Sequence, residues 1–299
     1  MQARAKGKVG VVGLGIMGGA IARNLAAAGW RVTGYDVDAK RRQELAGAGI
    51  EIAVSAGALA KDNPINLTSL PHPDALAATV NEIIAAGAPK RVVAELSTFA
   101  IDDKAKAEKR LREAGHVLLD CPLSGTGAQA KTKDLVVYAS GASASIAALM
   151  PLFRDFAREA HDLGAFGNGM RMKFVANLLV AIHNVASAEA FVLGIKAGLD
   201  PKKIFELVKS GAGNSRVFEL RGPMMVEDRY DDATMKLSVW QKDMAIIRDF
   251  AATLKSPTPL FDATVPVYDA ALAGGLGAQD TAAVCAVLEQ MAGIRRGKG

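Results

Sequence analysis

The chain has 299 residues, half of them hydrophobic and 22% charged, with a formal net charge of +5. So apolar a chain buries enough surface to offset its ordering entropy, which excludes a disordered polymer, and the length predicts about two domains. Its two cysteines, Cys121 and Cys285, exclude a disulfide framework or a cysteine-rich zinc site and fit a reducing, cytoplasmic setting.

The positive charge collects at the ends. Arg4, Lys6 and Lys8 precede the first apolar run and Arg295, Arg296 and Lys298 follow the last one, with no acidic residue in 1–8 or 291–299. Setting those six aside leaves 30 basic against 31 acidic residues, so the body is near neutral and no nucleic-acid partner is expected. Residues 9–17 are threaded with glycines and read as a strand and turn, not as a signal-peptide core. Residues 174–185 are interrupted by Asn177, His183 and Asn184, which reads as too short and too polar for a bilayer span, so no membrane partner is expected.

In chain order, strands are predicted at Lys8–Val12, Arg31–Tyr35, 65–67, 91–95, Val117–Asp120 and 135–138, with helices at 17–28, 74–86, 103–114 and 144–156 between them. Alternation at this spacing predicts βαβ units and a doubly wound, mostly parallel sheet of the Rossmann type. After Gly167-Asn168-Gly169 the strand signal ends. A long helix is predicted at 169–197, then helices at Pro201–Lys209, 234–254, 260–273 and 279–290, Asp200-Pro201 supplying an N-cap and a proline at the first helical position. The expected organisation is α/β: a doubly wound domain over residues 1–165 and an all-helical domain over 166–299.

Gly13-Leu14-Gly15-Ile16-Met17-Gly18 matches G-x-G-x-x-G between the first strand and the first helix. The pattern gives a tight turn, backbone room for a pyrophosphate and close helix–strand packing, and the helix N-terminus offers free N–H groups to phosphate. The second strand ends at Tyr35-Asp36, where a carboxylate can take hydrogen bonds from the adenosine ribose and repel the extra phosphate of NADP. NAD is therefore the expected cofactor. Lys40, Arg41 and Arg42 could reach an NADP phosphate, but read better as a solvated face.

Hydride transfer to or from a carbonyl needs a proton donor or acceptor beside the oxygen. None of Tyr35, Tyr138, Tyr230 and Tyr268 has a lysine four residues on, which excludes the Tyr-x-x-x-Lys solution, and no metal site is expected. His72, His116, His161 and His183 have no evident carboxylate partner and read as surface or core residues. Lys173 begins an apolar helical stretch with Asn177 one turn later on the same face. A lysine in dehydrated surroundings loses part of its preference for the charged form and can shuttle a proton; the alternative from spacing alone is a helix-end lysine reaching to water.

With these residues assembled, the chain resembles the β-hydroxyacid dehydrogenase family, which includes 3-hydroxyisobutyrate dehydrogenase. The resemblance spans nearly the whole chain and rests on four blocks: the glycine turn with Asn24, Leu25 and Gly29; Asp120-Cys121-Pro122-Leu123-Ser124-Gly125; Gly167-Asn168-Gly169 with Lys173 and Asn177; and Lys242-Asp243. It implies that Lys173 is the general acid/base, that Asn177 orients the substrate, and that Ser124 and Gly125, with Thr126 beside them, cradle a carboxylate. It further implies that Lys242 contacts the cofactor or substrate and that Leu70-Pro71 and Thr98 line the nicotinamide side. The implied reaction is hydride exchange between NAD (or NADP) and a small carboxylate-bearing 2- or 3-hydroxy acid, or reduction of its semialdehyde, in a homodimer or homotetramer. An NADPH-dependent semialdehyde or imine reductase on the same scaffold is the alternative, and a non-catalytic dinucleotide-binding protein a further one. Thr126, Ala176 and Glu95 depart from the family pattern and bear on the substrate.

Overall fold

In a computed structural model, residues 6–296 are described. By its internal contacts the chain divides into two compact units, Met1–Lys173 and Phe174–Gly299.

The first unit is built on a six-stranded sheet, all parallel, in the order β3-β2-β1-β4-β5-β6. Its strands are β1 (Lys8–Val12), β2 (Arg31–Tyr35), β3 (Glu51–Ile52), β4 (Ile65–Thr68), β5 (Val92–Glu95) and β6 (Val117–Asp120). The helices α1 (Ile16–Ala27), α2 (Ala39–Ala46), α3 (Ala56–Asp62), α4 (Pro73–Ala85) and α5 (Ile101–Glu113) connect them. Successive side chains point to opposite faces: Ala94 and Leu119 join one core with Val9, Ile21 and Leu25, while Val93 and Leu118 join another with Val80 and Ile83. Burial on both faces explains the near-continuous apolar runs of the central strands.

A second, three-stranded sheet follows: β7 (Leu123–Ser124) runs antiparallel to β8 (Val136–Ala139), which runs parallel to β9 (Glu159–Asp162). Helices α6 (Gly127–Lys131) and α7 (Ser143–Phe156) lie between its strands in the chain. The long helix α8 (Asn168–Lys196) then begins, and the remainder is helical: α9 (Pro201–Lys209), α10 (Arg216–Glu227), α11 (Leu237–Thr253), α12 (Pro259–Ala273) and α13 (Val284–Met291). Asp200 caps α9 by accepting from the Lys202 N–H.

Helix α8 corrects the reading of residues 174–185. Its 29 residues include a window of mean hydropathy 1.8, long and apolar enough by length and composition to cross a membrane. Its polar residues are bonded inside the protein: Asn184 is fully buried and donates to the Tyr268 hydroxyl and the Thr281 carbonyl, and Tyr268 donates to the Ala181 carbonyl. Two of the basic residues near the ends are paired with acidic side chains. Lys6 pairs with Asp155, and Arg296 pairs with Glu289 and donates to the carbonyls of Met225 and Val226; Arg4 and Lys298 lie outside the described residues.

Candidate active site

The strand order reverses between β1 and β4, and ligands of such sheets bind outside the carboxyl ends of the strands at that point. The glycine turn sits there. Gly13 has φ +88, and a Cβ on it would lie 2.1 Å from the Ser69 carbonyl oxygen, so the turn after β1 presses against the turn after β4. A Cβ on Gly18 would lie 1.8 Å from the Gly13 carbonyl oxygen, the close helix–strand approach expected of the third glycine. Gly15 differs: a Cβ there meets nothing within 4 Å. The space over Gly15 is therefore left by the protein itself, and it lies at the N-terminus of α1, where Ile16 and Met17 begin the helix and its first N–H groups lack intrahelical acceptors. A pyrophosphate fits this cradle in shape and in charge.

Asp36 is held ready beside it. One carboxylate oxygen accepts the Leu14 N–H at 2.7 Å and the other the Asp38 N–H at 2.8 Å. The Leu14 amide is thereby committed to Asp36. Arg42 does not belong to a solvated face: its guanidinium donates to the carbonyls of Asp36 and Val37 at 2.6 and 3.0 Å, bracing the loop that carries the acid. Arg41 pairs with Glu44 on the exposed side of α2.

The other expected residues of the first unit gather at the same sheet end. The Leu70 N–H donates to the Ser97 hydroxyl at 2.8 Å, which joins the Leu70-Pro71 turn to the Ser97-Thr98 turn after β5. Ser124 ends β7, Gly125 has φ +130, and the Thr126 N–H donates to Gln129 at 3.0 Å at the start of α6. This segment abuts the glycine turn: a Cβ on Gly127 would lie 2.3 Å from Ile16, and Asn24 of α1 donates to the Ala130 carbonyl at 2.8 Å. The start of α8 is tied to the end of β6, because the Met170 N–H donates to Asp120 at 2.9 Å. Lys173 follows one turn later and is buried, with 7% of its surface exposed.

In the second unit, Asn177 is buried and its amide donates to Asp243 at 3.2 Å, while Lys242 lies 3.6 Å from the same carboxylate. Asp243 thus fixes which way the Asn177 amide points. Sequence reasoning named Lys242-Asp243 and missed that contact, which joins side chains 66 positions apart.

The histidines stay outside this set. His72 caps α4 by accepting from the Ala75 N–H, and His116 accepts from the Arg91 N–H. Burial, assisted by Arg91, holds His116 below the ordinary histidine range. His161 does have a carboxylate neighbour, Glu159 at 3.2 Å, on the exposed strand β9. Both cysteines are buried free thiols, and burial, reinforced by Glu289, pushes the Cys285 thiol up to about 12.

Sheet order, glycine turn and Asp36 together define a dinucleotide-binding protein of the Rossmann class. Comparison with known proteins narrows this. Residues 8–167 match the model for the NAD-binding domain of 6-phosphogluconate dehydrogenase, and residues 167–288 match the model for the NAD-binding region of NADP-dependent 3-hydroxyisobutyrate dehydrogenase. The chain is 30% identical to an L-threonate dehydrogenase of Cupriavidus necator, covering 92% of this chain and 94% of that one. It is 28% identical to a chloroplastic glyoxylate/succinic semialdehyde reductase of Arabidopsis thaliana, over 94% and 79% of the two chains. A crystal structure of 3-hydroxyisobutyrate dehydrogenase from Salmonella typhimurium superposes with a TM-score of 0.85 at 27% identity, over 94% of this chain and all of that one. The chain belongs to the β-hydroxyacid dehydrogenase family, and so to the oxidoreductases that act on CH–OH groups with a nicotinamide dinucleotide.

Proposed function

We propose that this chain oxidises a small 2- or 3-hydroxy acid, or reduces the corresponding semialdehyde, with Lys173 as the group that moves the proton. The observation carrying the reading is a buried lysine and a buried asparagine one turn apart on α8, the lysine's turn bonded to the end of β6 and the asparagine's amide aimed by Asp243. When bound, the nicotinamide accepts or returns the hydride. In the oxidative direction Lys173 takes the hydroxyl proton as the C–H bond electrons leave with the hydride, and in reduction it gives the proton back to the new alkoxide oxygen. Asn177, one donor hydrogen spent on Asp243, holds the reacting oxygen with the other. Ser124 and the Gly125 amide bind the substrate carboxylate; the Thr126 amide is held by Gln129, and Thr126 adds a methyl and a hydroxyl that narrow the pocket.

The cofactor side of the proposal assigns the pyrophosphate to Gly15, Ile16 and Met17, with Gly13 and Gly18 setting the turn and Leu14 holding Asp36. Asp36 takes the ribose, Leu70, Pro71 and Thr98 the nicotinamide side, and Lys242 a phosphate or carboxylate oxygen. NAD is preferred over NADP, since the ordered Asp36 carboxylate repels a second phosphate and Arg42 is spent on backbone carbonyls. The same proposal gives residues 1–165 the dinucleotide and residues 166–299 substrate binding and self-association, in a reducing, cytoplasmic setting suited to two free thiols.

A panel of short hydroxy acids and their methyl esters, assayed for NADH formation, tests the substrate class. Free acids are expected to turn over, and the esters to lose about 100-fold in kcat/KM because the carboxylate cradle goes unfilled. No turnover with any carboxylated alcohol contradicts the reading.

A further inference from the structure

Helix α5 carries a lysine where its apolar stripe should be. The buried positions of α5 are Lys104, Ala107 and Leu111, and Lys104 is among the most completely buried large side chains in the chain. Its ammonium lies 2.6 Å from Glu95 Oε2 and 2.8 Å from Asp120 Oδ1, both carboxylates fully buried. Glu95 and Asp120 are the last residues of β5 and β6 and face each other in register. A cation between two anions at adjacent strand ends leaves one net negative charge inside the protein, a costly arrangement unless every oxygen is used.

The remaining oxygens are used, and on the residues of the proposed site. Glu95 Oε1 accepts the Ser97 N–H at 2.9 Å, and the Ser97 hydroxyl accepts the Leu70 N–H at 2.8 Å. Asp120 Oδ2 accepts the Met170 N–H at 2.9 Å and the Ser140 hydroxyl at 3.1 Å, and Ser140 in turn accepts the Gly169 N–H at 2.9 Å. One arm thus ends on the Leu70-Pro71 and Ser97-Thr98 turns, the other on the first turn of α8, one turn before Lys173.

We propose that Lys104, locked between Glu95 and Asp120, is a positioning residue that sets the first turn of α8, and through it Lys173, relative to the sheet. The inference rests on the reading of Lys173 given above. Burial opposes the charge on Lys104, but the two carboxylates outweigh it and hold its pKa above the ordinary lysine range, so the ammonium persists wherever the enzyme works. Without the cation, two buried carboxylates at adjacent strand ends are left with no counter-charge between them, and the oxygens that hold Ser97, Ser140 and Met170 lose the group that fixes their place.

The test compares wild type with Lys104→Met and with the double variant Glu95→Gln/Lys104→Met, all as full chains. The single variant strands two buried carboxylates and is at risk of not folding. The double variant removes one charge of each sign, keeps the net charge and retains an amide acceptor for Ser97, so it is the deciding protein. In it, hydrogen–deuterium exchange over residues 168–174 is expected to rise about tenfold while residues 8–12 stay protected. Its kcat is expected to fall about tenfold or more, with hydroxy-acid KM and NAD Kd within about threefold. Unchanged exchange over 168–174 overturns the proposal whatever the kinetics do, and so does faster exchange with kcat within about twofold of wild type. A wild type that turns over no hydroxy acid overturns the functional reading instead, and exchange alone then decides whether Lys104 orders the start of α8.

Discussion

Gly15 and Gly18 stand in one turn and carry opposite demands. A Cβ on Gly18 collides with the Gly13 carbonyl, whereas one on Gly15 points into open space from a backbone of φ −65 and ψ −161 that alanine tolerates. Gly18→Ala is accordingly expected to cost about 1–3 kcal/mol of stability in the free protein, read from urea unfolding. Gly15→Ala is expected to leave that stability unchanged or slightly raised and to weaken NAD binding about tenfold or more, read by calorimetry. Both glycines were legible in the sequence because the motif encodes a backbone shape. Lys104 was not: pattern reading assigns lysine to the outside of a helix, and the two acids that hold it lie 9 and 16 positions away on different strands. The usable signal was a lysine in phase with Ala107 and Leu111, together with a glutamate where the family usually has an aspartate or other small residue.

At the scale of elements, the buried parallel strands read clearly because burial on both faces makes them apolar throughout. The strands that escaped notice lack that signature. β3 and β7 have two residues each, and β9 is Glu-Ala-His-Asp at a sheet edge, joined by backbone bonds that leave no mark in composition. Helix α10 was hidden by Gly222 and Pro223, which read as breakers. It is kept by tertiary contacts: the Gly222 backbone packs on the Phe205 ring, and Arg221 pairs with buried Asp280 at 3.3 Å. Asp280 also accepts from Thr234, Met235 and Ala282, so one carboxylate joins α10 to the segments before α11 and α13. Burial favours its neutral form, but Arg221 and the N–H donors outweigh burial and hold its pKa below the usual carboxylate range. A folded-state pKa below the unfolded one adds stability above the unfolded value and loses it as pH falls through the folded value. Asp280→Asn is therefore expected to cost about 3–5 kcal/mol near neutral pH, much of it from the stranded Arg221 charge. The gap from wild type is expected to narrow in acid, as urea titrations at a series of pH values will show. A constant gap contradicts the assignment.

For the whole molecule, the starting numbers keep part of their meaning. The surplus of basic residues does lie at the chain ends, but Lys6 and Arg296 are folded onto the protein by Asp155 and Glu289. The apolar half of the composition is partly spent on α8, which exposes Val175, Leu179 and Leu193 and has only a third of its most apolar window buried within the chain. The proposed self-association places those side chains in an interface. Light scattering is then expected to give the mass of two or four chains and Leu193→Glu to lower it; a monomer in wild type contradicts that part of the account. Whether Lys173 moves the proton is decided by Lys173→Ala. Turnover of the best hydroxy acid is measured alongside NAD affinity. The expected result is a fall in kcat of about 10²- to 10⁴-fold with NAD Kd within about threefold of wild type. Turnover undiminished in the variant would contradict it.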